Sequence, residues 1–230
     1  MQKEYVRTLF NSIAHKYDFL NHVLSGGIDF YWRRKAINQL FSSNPKIILD
    51  IAAGTADFSL AAMRLQPAKI FGIDISQEML EIGKKKVEKK KLSNIITLQL
   101  GEAENLQFEN NFFDAVIVAF GVRNFENLEK GLSEIYRVLK SNGKIIVLEF
   151  SRPTIFPLKQ LYFFYFQKML PLVGKIISKN NEAYQYLPDT VMKFPDGENF
   201  LGKLRELQFS SVSQQRLTFG IVTIYSGTRP

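Results

Sequence analysis

Short apolar segments alternate with helix-like segments between residues 46 and 150, and this alternation limits the fold more than any other feature of the sequence. The apolar segments are Ile47–Ile51, Ile70–Ile73, Ile95–Leu100, Ala115–Ala119 and Ile145–Phe150. The intervening segments are most clearly helical at Glu78–Lys90 and Leu128–Leu139. Strands that alternate with helices form a mainly parallel sheet with helices on both faces, and the near-continuous apolarity of the strands fits burial on both sides. The predicted fold class is therefore α/β.

Helices are predicted on either side of this region. Before it, apolar residues recur at three- and four-residue spacing, which places them on one helix face. They are Val6, Leu9, Phe10, Ile13, Tyr17 and Leu20. A second helix is predicted from an Asp29 cap to Phe41. After it, residues 151–196 are rich in aromatic residues and predict an inserted helical lobe. A last helix, Gly197–Leu207, then precedes two extended segments, Ser210–Arg216 and Thr218–Tyr225, that predict a terminal antiparallel pair.

Composition excludes several classes of protein. The chain has 230 residues and no Cys, which rules out a disulfide scaffold, a cysteine nucleophile and an iron–sulfur cluster. Both histidines lie near the N-terminus, and no zinc-type spacing occurs, so a metal site has little support. The apolar segment Ile155–Ile177 is interrupted by Lys, Gln and Pro, which argues against a transmembrane helix.

The formal net charge of +8 could suit nucleic acid, an anionic membrane surface or an acidic substrate. Much of the excess lies in Lys84–Lys86 and Lys89–Lys91. We interpret this run as a solvated helix face, since charge runs usually are one. It carries no interleaved aromatic residues, so a nucleic-acid-binding protein is the less favoured interpretation.

Small and polar residues follow four successive predicted strands, at the edge where parallel sheets bind ligands. The first strand leads into Asp50-Ile51-Ala52-Ala53-Gly54-Thr55-Ala56-Asp57, which lacks the G-x-G-x-x-G pattern of dinucleotide sites. The second ends at Asp74, where a carboxylate can accept hydrogen bonds from both ribose hydroxyls. Gly101-Glu102-Ala103-Glu104 follows the third, where an acidic residue can accept a hydrogen bond from an adenine amino group, and Ala119-Phe120-Gly121-Val122-Arg123-Asn124 follows the fourth. Together they describe a pocket for an adenosine without pyrophosphate, which points to S-adenosylmethionine.

Several longer motifs make the chain resemble the ubiquinone/menaquinone biosynthesis C-methyltransferases, a family that includes the demethylmenaquinone methyltransferases. The most specific motifs are Phe120-Gly121-Val122-Arg123-Asn124 and Leu217-Thr218-Phe219-Gly220. The others include Ile13-Ala14-His15-Lys16-Tyr17-Asp18, Tyr136-Arg137-Val138-Leu139-Lys140, Leu148-Glu149-Phe150-Ser151-Arg152-Pro153 and Ala183-Tyr184-Gln185-Tyr186-Leu187-Pro188. The chain departs from the family at Ala53 and Ala56. We expect alanine to be tolerated there provided that the backbone φ angles are negative.

The resemblance implies a class I S-adenosylmethionine-dependent methyltransferase with a Rossmann-like sheet, which converts demethylmenaquinol to menaquinol. Methylation of 2-polyprenyl-6-methoxybenzoquinol in ubiquinone biosynthesis, or of another hydrophobic phenol, stays open as an alternative. On this interpretation residues 1–230 form a single domain. Its parts are an N-terminal helical lid (1–44), a cofactor-binding core (45–150), a helical substrate lobe (151–196) and a terminal helix with strands (197–230).

The expected site residues follow from the strand ends and the matched motifs. Those expected to bind the cofactor are Asp50, Gly54, Thr55, Asp74, Glu102, Ala103 and Ala119. Those expected to contact the substrate are Tyr17, Arg123 and Asn124. The candidates for a base or other catalytic group are Arg123, His15, Asp18, Asp57 and a water held by Arg123. The expected partner is a prenylated quinol, with no metal and no nucleic acid. We expect a cytoplasmic protein that makes peripheral contact with the inner membrane, and a homodimer is allowed.

Overall fold

A computed structural model describes residues 2–157, 159, 160, 162 and 181–230. Its helices, numbered in chain order, are α1 (Gln2–Leu24), α2 (Ile28–Asn38), α3 (Asp57–Ala62), α4 (Gln77–Lys89), α5 (Leu128–Val138), α6 (Asn181–Lys193) and α7 (Glu198–Glu206). Its strands are β1 (Ile47–Ile51), β2 (Lys69–Asp74), β3 (Ile96–Leu100), β4 (Phe113–Ala119), β5 (Leu139–Phe150), β6 (Ser210–Leu217) and β7 (Val222–Thr228).

Within these residues the strands form one sheet of seven, in the order β3-β2-β1-β4-β5-β7-β6. Strands β1 to β5 run parallel to one another, whereas β7 lies between β5 and β6 and is antiparallel to both. The strand order reverses between β1 and β4, and a crevice opens at that point beyond the carboxyl ends of the strands. The predicted α/β class, with a mainly parallel sheet and a terminal antiparallel pair, is confirmed.

Both faces of the sheet are covered by helices, because alternate residues of the inner strands are apolar on both sides. On β4, Ala115 and Ile117 pack with α2, α3 and α4, whereas Val116 and Val118 pack with α5 and α7. All four side chains are fully buried. Two apolar layers therefore hold the sheet rigid, and the loops at its carboxyl edge are carried on this rigid support.

Several predicted boundaries differ from the structure, and three of them were wrong for identifiable reasons. Gly27, not Asp29, precedes α2, because the Asp29 carboxylate is buried in an ion pair with Arg33 one turn later. The last strand begins at Val222 rather than at Thr218, because Thr218–Gly220 forms a 3-10 turn. The strand predicted from Ile145 begins at Leu139, where the first residue already pairs with β4.

The predicted helical lobe at 151–196 lies partly outside the described residues. Within the described part, α6 is helical and contains Pro188. No helix among the described residues is long and apolar enough to cross a membrane. The division of the domain into four parts stays a prediction.

Candidate active site

The carboxyl ends of β1, β2, β3 and β4 meet beneath α1 and enclose a cavity of about 80 Å³. From the sheet side it is lined by Ile51, Ala52, Gly54, Asp74, Ile75, Met79, Gly101, Ala103, Glu104, Ala119, Phe120, Gly121, Asn124, Phe125 and Glu126. From the α1 side it is lined by Lys3, Val6, Phe10 and Tyr17. Residues from all four predicted strand ends therefore line one cavity.

Asp74 supplies the fixed carboxylate of this cavity. It accepts a hydrogen bond from the backbone N–H of Gly54 and another from that of Ser76, both at 2.8 Å. Burial raises the pKa of Asp74, and these backbone donors oppose the increase. Each carboxylate oxygen retains a further lone pair, so the group can also accept from two neighbouring hydroxyls of a ligand. This is the chemistry that a ribose requires.

The loop after β1 has a left-handed backbone at three positions. The φ angles are +56° at Ala52, +52° at Gly54 and +69° at Ala56. A Cβ placed on Gly54 would meet no atom within 4 Å, so a ligand can approach the backbone there. The condition of a negative φ is not met at Ala56, whose positive φ places the methyl group in a strained conformation that glycine would avoid. The condition is met at Ala53, which has no positive φ.

At the opposite wall of the cavity, close packing requires glycine at position 121. A Cβ on this residue would lie 2.4 Å from the Cβ of Ala52, far inside van der Waals contact. The φ of Gly121 is −117°, which any residue can adopt, so its constraint is steric and not conformational. The loops after β1 and β4 thus touch across the floor of the cavity.

Asp50 lies beneath the cavity and not in its lining. Its side chain is fully buried, and its Oδ2 accepts a hydrogen bond from Ser59 at 2.6 Å. The Oδ1 atom has no partner among the described residues. Burial is the main reason that the pKa of Asp50 is raised to about 7. Direct cofactor contact by Asp50 stays a prediction, and its unpaired oxygen is the feature that favours it.

Thr55, Asp18 and Asp57 form a polar cluster around Lys86 instead of lining the cavity. The Lys86 Nζ lies 2.7 Å from Asp18, 2.6 Å from Asp57 and 3.0 Å from the Thr55 hydroxyl. The Thr55 hydroxyl donates to Asp18 at 2.5 Å. Asp18, Asp57 and His22 have ligand atoms within 4.8 Å of one another, a spacing that could hold a metal ion. In this structure the Lys86 ammonium is the cation between the two carboxylates.

Arg123 is paired inside the protein. Its guanidinium lies 2.6 Å from the fully buried Glu149 and donates to the Phe120 carbonyl at 2.5 Å. Burial raises the pKa of Glu149, while the positive charge of Arg123 opposes that increase. Arg123 lines a second cavity of about 480 Å³, together with residues of α1, α5 and α6 that include Tyr5 and Tyr186. The two cavities adjoin at Phe125, which lines both.

The remaining predicted residues divide into two groups. Tyr17, Asn124, Ala103 and Ala119 line the first cavity, and the Asn124 Oδ1 accepts a hydrogen bond from Tyr186 at 3.0 Å. Asn124 therefore lies where the two cavities meet. Glu102 is ion-paired with Lys3 and is not part of the lining, whereas Glu104, two residues later, lines the cavity. His15 is exposed and lines neither cavity.

Sequence reasoning missed the lining residues Lys3, Val6, Phe10 and Met79. Val6 and Phe10 were interpreted as part of an apolar helix face, and that face is the signal that could have placed them. An apolar face must pack on something, and here it closes the cavity at the sheet edge. Met79 follows Asp74 by five residues in the first turn of α4, a position that always faces the strand end before it.

The fold is that of S-adenosylmethionine-dependent methyltransferases. The described chain superposes on one such protein from Thermotoga maritima with a TM-score of 0.66 and 20% sequence identity, covering 97% of this chain and 99% of that one. At this identity the likeness establishes the fold alone.

Sequence comparison then gives the family. Residues 1–229 match the ubiE/COQ5 methyltransferase family, and the chain belongs to that family. It is 48% identical to the demethylmenaquinone methyltransferase of Bacteroides fragilis over 229 residues, which is 99% of this chain and 94% of that one. It is 45% identical to the ubiquinone/menaquinone biosynthesis C-methyltransferase UbiE of Citrifermentans bemidjiense over 228 residues, covering 98% and 97%. The predicted family is confirmed, and the chain is a methyltransferase. Family and fold both imply S-adenosylmethionine as methyl donor.

Proposed function

We propose that this protein methylates a ring carbon of a polyprenylated quinol and converts demethylmenaquinol to menaquinol. The names of its relatives support this reaction, since both the Bacteroides and the Citrifermentans proteins are named for quinone methylation. The observation that carries the proposal in this chain is the junction of two cavities at Asn124 and Phe125. One cavity has the chemistry of an adenosyl site, and the other is wide enough for a substituted ring.

The residues of the first cavity fit S-adenosylmethionine. Asp74 offers a carboxylate for the ribose hydroxyls, and the open side of Gly54 lets backbone approach the ligand. Ala103 and Ala119 are small, so they leave room at the ends of β3 and β4. When bound, S-adenosylmethionine supplies an electrophilic methyl group on a sulfonium. The protein has to hold that methyl and the accepting carbon about 3–3.5 Å apart and in line.

The quinol ring is assigned to the second cavity. Methyl transfer breaks the methyl–sulfur bond of the donor, which leaves as S-adenosylhomocysteine, forms a carbon–carbon bond and releases the ring proton. The ring must therefore be electron-rich and in the reduced quinol form. Loss of a hydroxyl proton gives a phenolate, whose charge delocalises onto the ring carbon. Arg123 is the cationic group of this cavity that stands nearest to the junction, and it can stabilise a phenolate oxygen by charge-assisted hydrogen bonds.

We choose among the candidate proton acceptors by whether they line either cavity. His15, Asp18 and Asp57 lie outside the linings of both cavities, so none of them is favoured as the base. A water held by Arg123 is the remaining candidate. The pairing with Glu149 fixes the guanidinium so that its other nitrogens keep one orientation.

The test is an assay with S-adenosylmethionine carrying a labelled methyl group. Reduced demethylmenaquinol should gain label on its ring, whereas the oxidised quinone should gain none. Asp74→Ala should abolish labelling, and Asp74→Asn, which keeps the size and one acceptor oxygen, should retain part of it. Binding of S-adenosylmethionine without labelled product would reject the substrate and keep the fold. Faster labelling of 2-polyprenyl-6-methoxybenzoquinol would assign the chain to ubiquinone synthesis instead.

We also propose that the protein visits a membrane surface, where a polyprenylated substrate is dissolved. Ile155, Phe156 and Phe219 are 59%, 77% and 70% exposed. The two loops that carry them are adjacent, because Arg216 donates a hydrogen bond to Thr154. Exposed apolar residues beside basic ones favour an anionic lipid surface. Flotation with anionic liposomes at physiological salt should recover the protein, and replacing Phe156 and Phe219 by Ser should reduce that recovery. A homodimer stays a prediction.

A further inference from the structure

The cofactor cavity is closed on one side by α1 and on the other by the carboxyl edge of the sheet. Four of its lining residues, Lys3, Val6, Phe10 and Tyr17, come from α1. The sheet on the other side is held between two packed layers, so the wall that can give way is α1. We propose that Lys86 is the latch that holds α1 closed over the cavity and is a positioning residue for the methyl donor.

The latch joins three elements at one point. Lys86 lies on α4, Asp18 lies on α1, and Asp57 is the first residue of α3. The ammonium makes ion pairs of 2.7 Å and 2.6 Å with these carboxylates. The side chains of Lys86, Asp18 and Asp57 are 25%, 26% and 17% exposed, so solvent screens the pairs less than it screens surface pairs. The Thr55 hydroxyl completes the group by bonding to both Lys86 and Asp18.

The position of this group explains why it matters for the cofactor. Tyr17, next to Asp18 on α1, lines the cavity, and Gly54, next to Thr55, lines it from the other side. The Lys86 ammonium therefore links α1 to the loop after β1, which lines the cofactor cavity. Two other contacts also hold α1: the Ser76 hydroxyl donates a hydrogen bond to Asn11, and Lys3 forms an ion pair with Glu102. These are single contacts, whereas Lys86 neutralises two carboxylates whose oxygens lie within 4.8 Å of one another.

Lys86 differs in its surroundings from the other lysines in the basic run of α4. Lys84, Lys85 and Lys89 are exposed, as expected for a solvated helix face. Lys86 is three-quarters buried and belongs to the network described above. The interpretation of the whole run as a solvated face was therefore wrong at this residue. Lys85, the preceding residue on the same helix, provides a matched control of the same chemistry.

The first measurement uses the ligand-free chain. Hydrogen exchange should show the α1 amides of Lys86→Met exchanging roughly tenfold faster than those of wild type, which corresponds to about 1.4 kcal/mol. Lys85→Met should match wild type, and the amides of β1 and β4 should stay protected in both. Equal α1 exchange in Lys86→Met and Lys85→Met would overturn the latch. If β4 also loses protection in Lys86→Met, then Lys86→Arg decides: restored α1 protection supports the latch, and unrestored protection refutes it.

The second measurement concerns the ligand and rests on the proposed function. S-adenosylhomocysteine should dissociate roughly tenfold faster from Lys86→Met than from wild type or Lys85→Met. In turnover, the KM for S-adenosylmethionine should rise more than kcat falls, because the latch acts on the lid and not on the reacting atoms. An unchanged dissociation rate would refute the positioning role. If wild type fails to bind S-adenosylhomocysteine, the proposed function fails, while the exchange experiment still decides the latch.

Discussion

Asp50→Asn should change how the stability of this protein depends on pH. The carboxyl of Asp50 is fully buried, its Ser59 hydrogen bond satisfies one oxygen, and its pKa is raised to about 7. In the unfolded chain the pKa of an Asp is about 3.9. The folded state therefore binds a proton that the unfolded state has released at any pH between these values. It follows that the unfolding free energy falls as pH rises through this window.

The magnitude follows from the two pKa values. Below about pH 4 the neutral carboxyl makes its full contribution, and above about pH 7 that contribution is gone, a loss on the order of 4 kcal/mol. Between pH 5 and pH 8 the loss is about 2.5 kcal/mol. Asn cannot ionise, so Asp50→Asn removes this loss. The unfolding free energy of the variant minus that of wild type should rise by about 2.5 kcal/mol from pH 5 to pH 8.

Urea unfolding in the absence of ligand, followed by the fluorescence of the single Trp, Trp32, provides the assay. Subtracting wild type from variant at each pH cancels the other titrating groups. Asp114→Asn is the control. Burial pushes up the pKa of Asp114, but hydrogen bonds from Lys140 and the Ile47 backbone outweigh it and lower the pKa. Its carboxylate is ionised in both states from pH 5 to pH 8, so its difference should stay flat. A flat difference for Asp50→Asn as well would show that the reasoning from burial is wrong.

Three further substitutions test the site. Ala56→Gly should cost about 1–2 kcal/mol less stability than Ala53→Gly in urea unfolding, because both lose a buried methyl but only Ala56 has a positive φ to relieve; equal losses would contradict this. Gly121→Ala should destabilise by about 1–3 kcal/mol, since its Cβ would lie 2.4 Å from that of Ala52. Adding Ala52→Gly should restore most of that loss, and an additive double variant would count against the contact. Glu149→Gln should destabilise by about 3–5 kcal/mol, because it leaves the guanidinium beside it buried without a counter-charge. A thermal unfolding midpoint equal to that of wild type would disprove that pair.

Local pattern was sufficient to predict the fold. The segment Ile47–Ile51 is the strand β1 without any change of boundary, because four of its five residues are apolar, as expected for a central strand covered on both faces. The predictions were wrong where a long-range contact decides. Gly220 is the only local signal of the turn at Thr218–Gly220, and the structure adds a hydrogen bond that the indole N–H of Trp32 donates to Thr218. Local pattern carries no information on a pairing across 186 residues.

The site was predictable to the extent that strand ends define it. Asp74 and Ala119 are the last residues of parallel strands, and Ala103 comes three residues after another, so all three line the cavity at the carboxyl edge of the sheet. The roles of Lys86 and Glu149 were not predictable. Lys86 lies in a run of identical residues, and its burial depends on where α1 packs. Glu149 reaches Arg123 across 26 residues from the neighbouring strand, so neither partner signals the pair by itself.

The place of β7 in the sheet has a consequence for biosynthesis. This strand follows the other six in the chain but lies inside the sheet, between β5 and β6. As the chain leaves the ribosome, β5 must wait with one unpaired edge until residues 222–228 arrive, and an open strand edge invites pairing with other chains. The nascent chain is therefore exposed to aggregation through the edge of β5 until β7 has been made.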